Sequence, residues 1–391
     1  MVNRRCVVAV LMIWLFIAVF SVSVNASTAE NEDRSDKIAC EEEYRQMLES
    51  LPDDIRELLP EKLYSGNVTD IVEGASEMTD FSYVLNSALE LAGLELEASL
   101  KMLATLVGIL VLAATLNAVK SAFSSQSVLD AFSLASSCAV FLTATTAQYG
   151  IISSVAEFFQ RICIFANAML PLMGALYAMG GNVGGAVVNH TSLLMFMNIV
   201  ENLCAGSVMP ISGICLSFAA AGAISPGVNI GGLSKSFKKA YTGALTFIMT
   251  LFGTVLAAQN TLAAKADTLA GKTVKFAVGN MIPIVGSALS GTIGTLGTSI
   301  EYIRSGVGIV GVMAIVMMFL PTLITLLVSK LVLSLVSGIS DVLGCDREGK
   351  IISEMSAING FLLAAAGICS VTLVFMLTLF VKTSAAVGGG L

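Results

Sequence analysis

Charge is scarce in this sequence. Asp, Glu, Lys and Arg make up 13% of its 391 residues, against roughly 25% in soluble domains. Residues 102–119, 131–152, 162–179, 240–264, 276–300 and 355–381 contain none of the four. Histidine occurs once, at His190, and no two cysteines have CxxC spacing. A metal or redox motif therefore has no support. HExxH and GxSxG are missing too, and Asp130 and Asp341 flank their apolar runs rather than pairing inside them. No catalytic residue and no cofactor is expected. Lys and Arg do not cluster, which excludes a nucleic-acid footprint.

What the sequence does have is apolar length. Hydrophobic residues are 55% of the chain and the mean hydropathy is +0.85. A bilayer's hydrocarbon core takes about 20 apolar residues per spanning helix, and the chain supplies that length repeatedly. The expected class is all-α: a polytopic helical membrane protein of seven to nine spans.

Charge sign divides the chain into three. Residues 1–26 hold Arg4 and Arg5 ahead of an apolar stretch and Val24-Asn25-Ala26, the pattern of a signal peptide or of an uncleaved anchor. Residues 27–100 carry 19 acidic against 5 basic groups, and residues 101–391 carry 9 against 14. With Arg4 and Arg5 held inside, residues 27–100 are expected outside the cytoplasm. Short helices are expected over 41–51 and 53–59, broken by Pro52 and Pro60. A helical stripe of Ile71, Ala75, Met78, Leu85, Leu89, Ala92, Leu96 and Leu100 then leads into the first span. It serves either packing between helices or docking of an extracytoplasmic partner. The expected spans are 102–119, 131–152, 162–179, 183–200 and 203–224, with Lys235, Lys238 and Lys239 inside. After 240–264 comes an expected loop holding Lys265, Lys272 and Lys275, where topology is open.

Two stretches are alike. Met169-Leu-Pro171-Leu-Met-Gly174-Ala-Leu176 matches Met281-Ile-Pro283-Ile-Val-Gly286-Ser-Ala-Leu289, and Pro210 and Pro321 follow at similar distances. Either residues 160–230 and 272–340 are a duplicated unit, or the match is coincidence among apolar residues. Repeats with Gly- and Pro-broken helices recur in transporters, where the breaks form binding sites. Gly279, Asn280, Pro283 and Gly286 therefore join Pro171, Gly174 and His190 as structural or pore candidates. An Asn beside Gly and Pro leaves backbone groups unbonded, so that stretch should face protein or a wet cavity. Close helix packing is the preferred role, with a gating element second. His190 has no acid within two turns, Glu201 being 11 residues on, so a neutral hydrogen-bonded histidine is expected rather than a proton relay.

Residues 266–273 fit a loose Walker A pattern, but a phosphate cradle needs a strand before it and a soluble helix after it, and neither is expected. Cys138, Cys163, Cys204, Cys215 and Cys369 lie in apolar runs and read as small hydrophobes. Cys40 is the lone thiol expected outside, so no disulfide framework is read.

Together the leader, the acidic segment, the run Lys272-Thr-Val-Lys275-Phe-Ala-Val-Gly279-Asn280-Met-Ile-Pro283-Ile-Val-Gly286 and the closing helix before a Gly-rich tail resemble the stage III sporulation protein AE family of endospore-forming bacteria. The resemblance implies a mother-cell protein in the membrane around the engulfed forespore. There it would join other membrane proteins of its operon and a forespore membrane partner in a channel-like or secretion-like complex needed for forespore development. A separate ATPase-like protein of that operon would handle nucleotide. From the residues alone, a self-contained secondary transporter for a small solute or ion is the alternative.

Overall fold

A computed structural model of the chain describes residues 41–118, 126–179, 183–224, 231–281 and 286–382. No strand occurs among them. The leader and Pro283 lie outside the described residues.

Two proline-broken helices come first among the described residues, α1 (Glu41–Glu49) and α2 (Asp53–Arg56), followed by a 3-10 turn at Glu61–Tyr64 and α3 (Val68–Met78). Seventy-odd residues bury little surface alone, so this acidic segment relies on its neighbours. Tyr44, Met47, Leu48, Leu63, Ile71, Ala75 and Met78 are all buried. Gly74 lets Leu63 approach, since a Cβ there would fall 2.9 Å from Leu63 Cδ2. Gly306 in the bundle does the same for Val72, at 2.8 Å from its Cγ2.

The remaining helices are long: α4 (Phe81–Ala118), α5 (Gln126–Met179), α6 (Val183–Ile199), α7 (Gly206–Ile224), α8 (Gly231–Met281), α9 (Gly286–Val342) and α10 (Asp346–Lys382). Five stretches among the described residues are long and apolar enough to cross a membrane: Ser133–Leu176, His190–Gly222, Gly232–Gln259, Gly306–Val342 and Asp346–Leu379. Ser99–Thr115 is a shorter apolar helix. The protein is a polytopic helical membrane protein.

Three expectations about segmentation are corrected. Residues 131–152 and 162–179 do not return across the membrane as two spans; they are halves of one helix, α5. The charges that suggested a break are absorbed on its surface, because Arg161 bonds Glu157 at 3.1 Å, one turn away, and lies 3.9 Å from Asp54 of α2. Residues 183–200 and 203–224 also join, through a π-helical turn at Val200–Ala205 that takes up the extra residue and leaves Glu201 exposed. The expected loop with Lys265, Lys272 and Lys275 lies inside α8. Five stretches long and apolar enough to cross a membrane, with one shorter apolar helix, therefore stand among the described residues beside the expectation of seven to nine spans.

α10 is the central element, packing on α5, α7, α8 and α9. α9 and α10 form an antiparallel hairpin closed at Gly344, whose φ of +70° is the left-handed conformation that glycine adopts without a Cβ clash. The Cys345 amide donates to the Ser340 carbonyl at 2.8 Å to close the turn. α5 runs parallel to α10, and α3 and α1 pack on α9 and α5 respectively.

Candidate functional site

The chemistry of this fold lies inside it, along α10. A polar side chain buried away from water must find a partner, because leaving it unbonded costs about 1–3 kcal/mol. In the middle of the bundle Gln148 (α5) donates through Nε2 to Asn359 Oδ1 (α10), and Asn359 Nδ2 donates to Ser329 Oγ (α9) at 3.0 Å. Gln148 is 1% exposed, Asn359 and Ser329 0%. Gln148 Oε1 has no hydrogen-bond partner, and neither does Thr145 Oγ1 one turn back.

Three turns toward the α9–α10 turn, Ser137 Oγ donates to Glu348 Oε1 at 3.2 Å and Arg347 Nη1 donates to Ser133 Oγ at 3.3 Å. Between the two levels Ser356 and Ser334 share a hydrogen bond of 2.8 Å, and Ser356 also bonds the Lys330 carbonyl at 3.1 Å. The Lys330 ammonium lies along Gly360, with Nζ 3.4 Å from where a Cβ would stand. A larger residue at Gly360 would press on the far end of this side chain, which would have to shift. On the other side of α10, Lys238 (α8) and Glu354 form an ion pair at 2.9 Å, and Ser234 Oγ donates to the same carboxylate oxygen at 3.0 Å. Lys238 is buried, so this pair is held by hydrogen bonds rather than left to solvent.

The seam opens toward the acidic segment. A cavity of about 270 Å³ lies between α2, α5 and α9, lined by Pro52, Asp54, Ser154, Arg161, Pro321 and Thr325 among others. Pro321 lies inside α9 and cannot bond the carbonyl of Met317, a further lining residue. Thr325 is one turn from Ser329, so the cavity floor and the Gln148–Asn359–Ser329 cluster are adjacent along α9.

The residues singled out from sequence fall elsewhere. Pro171 is inside α5 and exposed; Gly174 is half-buried, with nothing within 4 Å of a Cβ built there. His190 is on an exposed face of α6. Gly279 and Asn280 are in the last turn of α8, and Gly286 opens α9. In the first copy of the similar stretch α5 runs on through Pro171, while Pro283 of the second copy lies outside the described residues. Residues 266–273 are helical throughout, so their amides are spent within α8 and form no phosphate cradle.

Sequence reasoning did not find the seam. The available signal was a spacing of 11 residues, three helical turns, between Ser137 and Gln148 and again between Glu348 and Asn359.

A chain of this build, with an acidic segment on a long-helix bundle and a polar seam inside it, matches the sequence pattern of the family described as Stage III sporulation protein AE over residues 65–386. The chain belongs to the stage III sporulation protein AE family. Stage III sporulation protein AE of Bacillus subtilis (strain 168) is 25% identical over 337 residues, covering 84% of this chain and 81% of that protein. No solved structure matches. The family's name assigns a role in sporulation and names no reaction, and the apolar helices place the chain in a membrane.

Proposed function

We propose that this protein is the membrane-embedded platform of a channel-like or secretion-like complex that links mother cell and forespore and supports forespore development. The supporting observation is how the acidic segment is used. Its apolar side chains, Ile71, Ala75 and Met78 among them, are consumed in packing on the chain's own bundle. What remains toward solvent is mostly carboxylate: Glu42, Glu49, Asp53, Asp54, Glu57, Glu61, Glu73, Glu77 and Asp80 are exposed, against the cations Arg45 and Lys62, the latter paired with Glu73 and Glu77. A surface predominantly of one sign on a fixed support recruits a partner of opposite sign and raises its association rate. With residues 27–100 outside the cytoplasm, that partner stands between the two membranes. The surrounding proteins are membrane proteins of the same operon and a forespore membrane protein, and the location is the mother-cell membrane around the forespore.

The test is mild crosslinking in sporulating cells followed by affinity purification of this chain. Co-purification of membrane proteins with basic extracytoplasmic surfaces, lost when Glu57, Glu61, Glu73 and Glu77 are changed to Lys, is the expected result. Recovery of the chain alone, with forespore development intact in the charge-reversed strain, would sink the proposal.

A further inference from the structure

The π-helical turn at Val200–Ala205 carries Cys204, and Cys204 faces Cys369 of α10. The two sulfurs are 3.1 Å apart and both residues are 0% exposed. Non-bonded heavy atoms settle at about 3.5–4.0 Å for carbon pairs, and sulfur is larger than carbon. The two thiols are therefore in direct contact, close enough for either to donate a hydrogen bond to the other. The pair bridges elements 165 positions apart in sequence, and packing elsewhere pins both: Tyr241 donates to the Leu203 carbonyl and shares a 2.7 Å hydrogen bond with Ser207, on either side of Cys204.

Position in the bundle supplies a second argument. Cys163 of α5 donates to the Met197 carbonyl at 4.0 Å, two turns before Cys204. Cys163 is two residues from Arg161, which pairs with Asp54 of the acidic segment. The thiol pair thus belongs to the half of the bundle that carries this segment, the half expected to face away from the cytoplasm. Disulfides form and persist on that side of a membrane.

We propose that Cys204 and Cys369 are a modification site, oxidised to a disulfide that fastens the π-turn to α10. The oxidant is a disulfide-bearing thiol oxidase outside the cytoplasm. One cysteine, as thiolate, attacks the oxidase disulfide, forming a mixed disulfide and releasing one oxidase thiol. The other cysteine then attacks the mixed disulfide, forming the Cys204–Cys369 bond and releasing the second oxidase thiol. Two electrons and two protons pass from the cysteine pair to the oxidase. The exchange precedes docking of α10, because the finished bundle seals both sulfurs from any protein reagent. This rests on the orientation of the acidic segment and not on the channel reading.

The test uses full-length protein from native membranes, quenched with N-ethylmaleimide at lysis, then denatured and digested with and without reductant. Without reductant, the peptides holding Cys204 and Cys369 should emerge as one linked species; with reductant, they should separate and gain alkyl groups. Cys163→Ser should leave the linked species unchanged. Free alkylated Cys204 and Cys369 in unreduced protein would overturn the proposal. So would a link that forms only when diamide is added after lysis, or one that joins Cys163 instead.

Discussion

Gln148 on α5 and Asn359 on α10 are partners at a sequence separation of 211, and Ser137 and Glu348, three turns back along the same helices, are partners at the same separation. Equal separations at two levels mean that the two helices run parallel and in fixed register. Polar bonds thus set the alignment of a contact that apolar packing alone would leave free to slide by a turn.

Removing one member of this set should be costly. Asn359→Leu strands the Gln148 amide and the Ser329 hydroxyl in a dry interior, a loss of about 2–4 kcal/mol. Gln148→Leu combined with Asn359→Leu should lose less than the two single changes added together. Unfolding in detergent, followed by circular dichroism, reads both; an Asn359→Leu protein as stable as the parent contradicts the register argument.

The Lys238–Glu354 pair should show the same asymmetry. Lys238→Met leaves a carboxylate without its cation, a loss of about 2–4 kcal/mol once partial exposure of Glu354 is allowed for. Lys238→Met with Glu354→Gln should recover much of that. Equal stability of the single and double variants in the same detergent melt would show that the charges are independent.

The π-helical turn should tolerate loss of the residue it absorbs. Deleting Glu201 closes the turn to ordinary α-helix and leaves α7 in phase with α6. Ser207 would stay beside Tyr241. In an S207C and Y241C protein, a short bifunctional maleimide should join the two positions in the full-length chain and in the deletion alike. Joining lost in the deletion would mean that the turn does not absorb an extra residue.

Alkaline pH should loosen the acidic segment before the bundle. Burial, helped by the nearby Tyr64, pushes the Tyr44 hydroxyl well above the ordinary tyrosine value, and burial raises Tyr83 as well. A raised folded-state pKa means full stabilisation below the unfolded value of about 10. That stabilisation is lost as pH climbs from there through the folded value. Trypsin digestion of membranes should therefore release the segment above about pH 10 while α4–α10 stay in the pellet. Release already at neutral pH would show that Tyr44 is not buried as described.

The helical class and the apolar faces were legible because periodicity and composition are local properties. Segmentation failed where local polarity was taken for a break. Glu157 and Arg161 satisfy one another within a turn, and Glu201 sits in a π-turn that keeps the helix continuous, so neither ends anything. The acidic segment was correctly read as short helices around Pro52 and Pro60, since proline acts on its immediate neighbours. The polar seam and the Cys204–Cys369 pair were not legible. Gln148 and Cys204 each look unremarkable in their own run, and only chain packing puts Asn359 and Cys369 opposite them.

The 57-residue α9 has a consequence of its own. At 1.5 Å per residue its contour is about 85 Å, while lipid tails fill about 30 Å. No tilt reconciles those lengths, so part of that rod lies beyond the hydrocarbon, and α3 of the acidic segment packs on it. The segment is thereby lodged on a rigid extension of a span rather than on a loop.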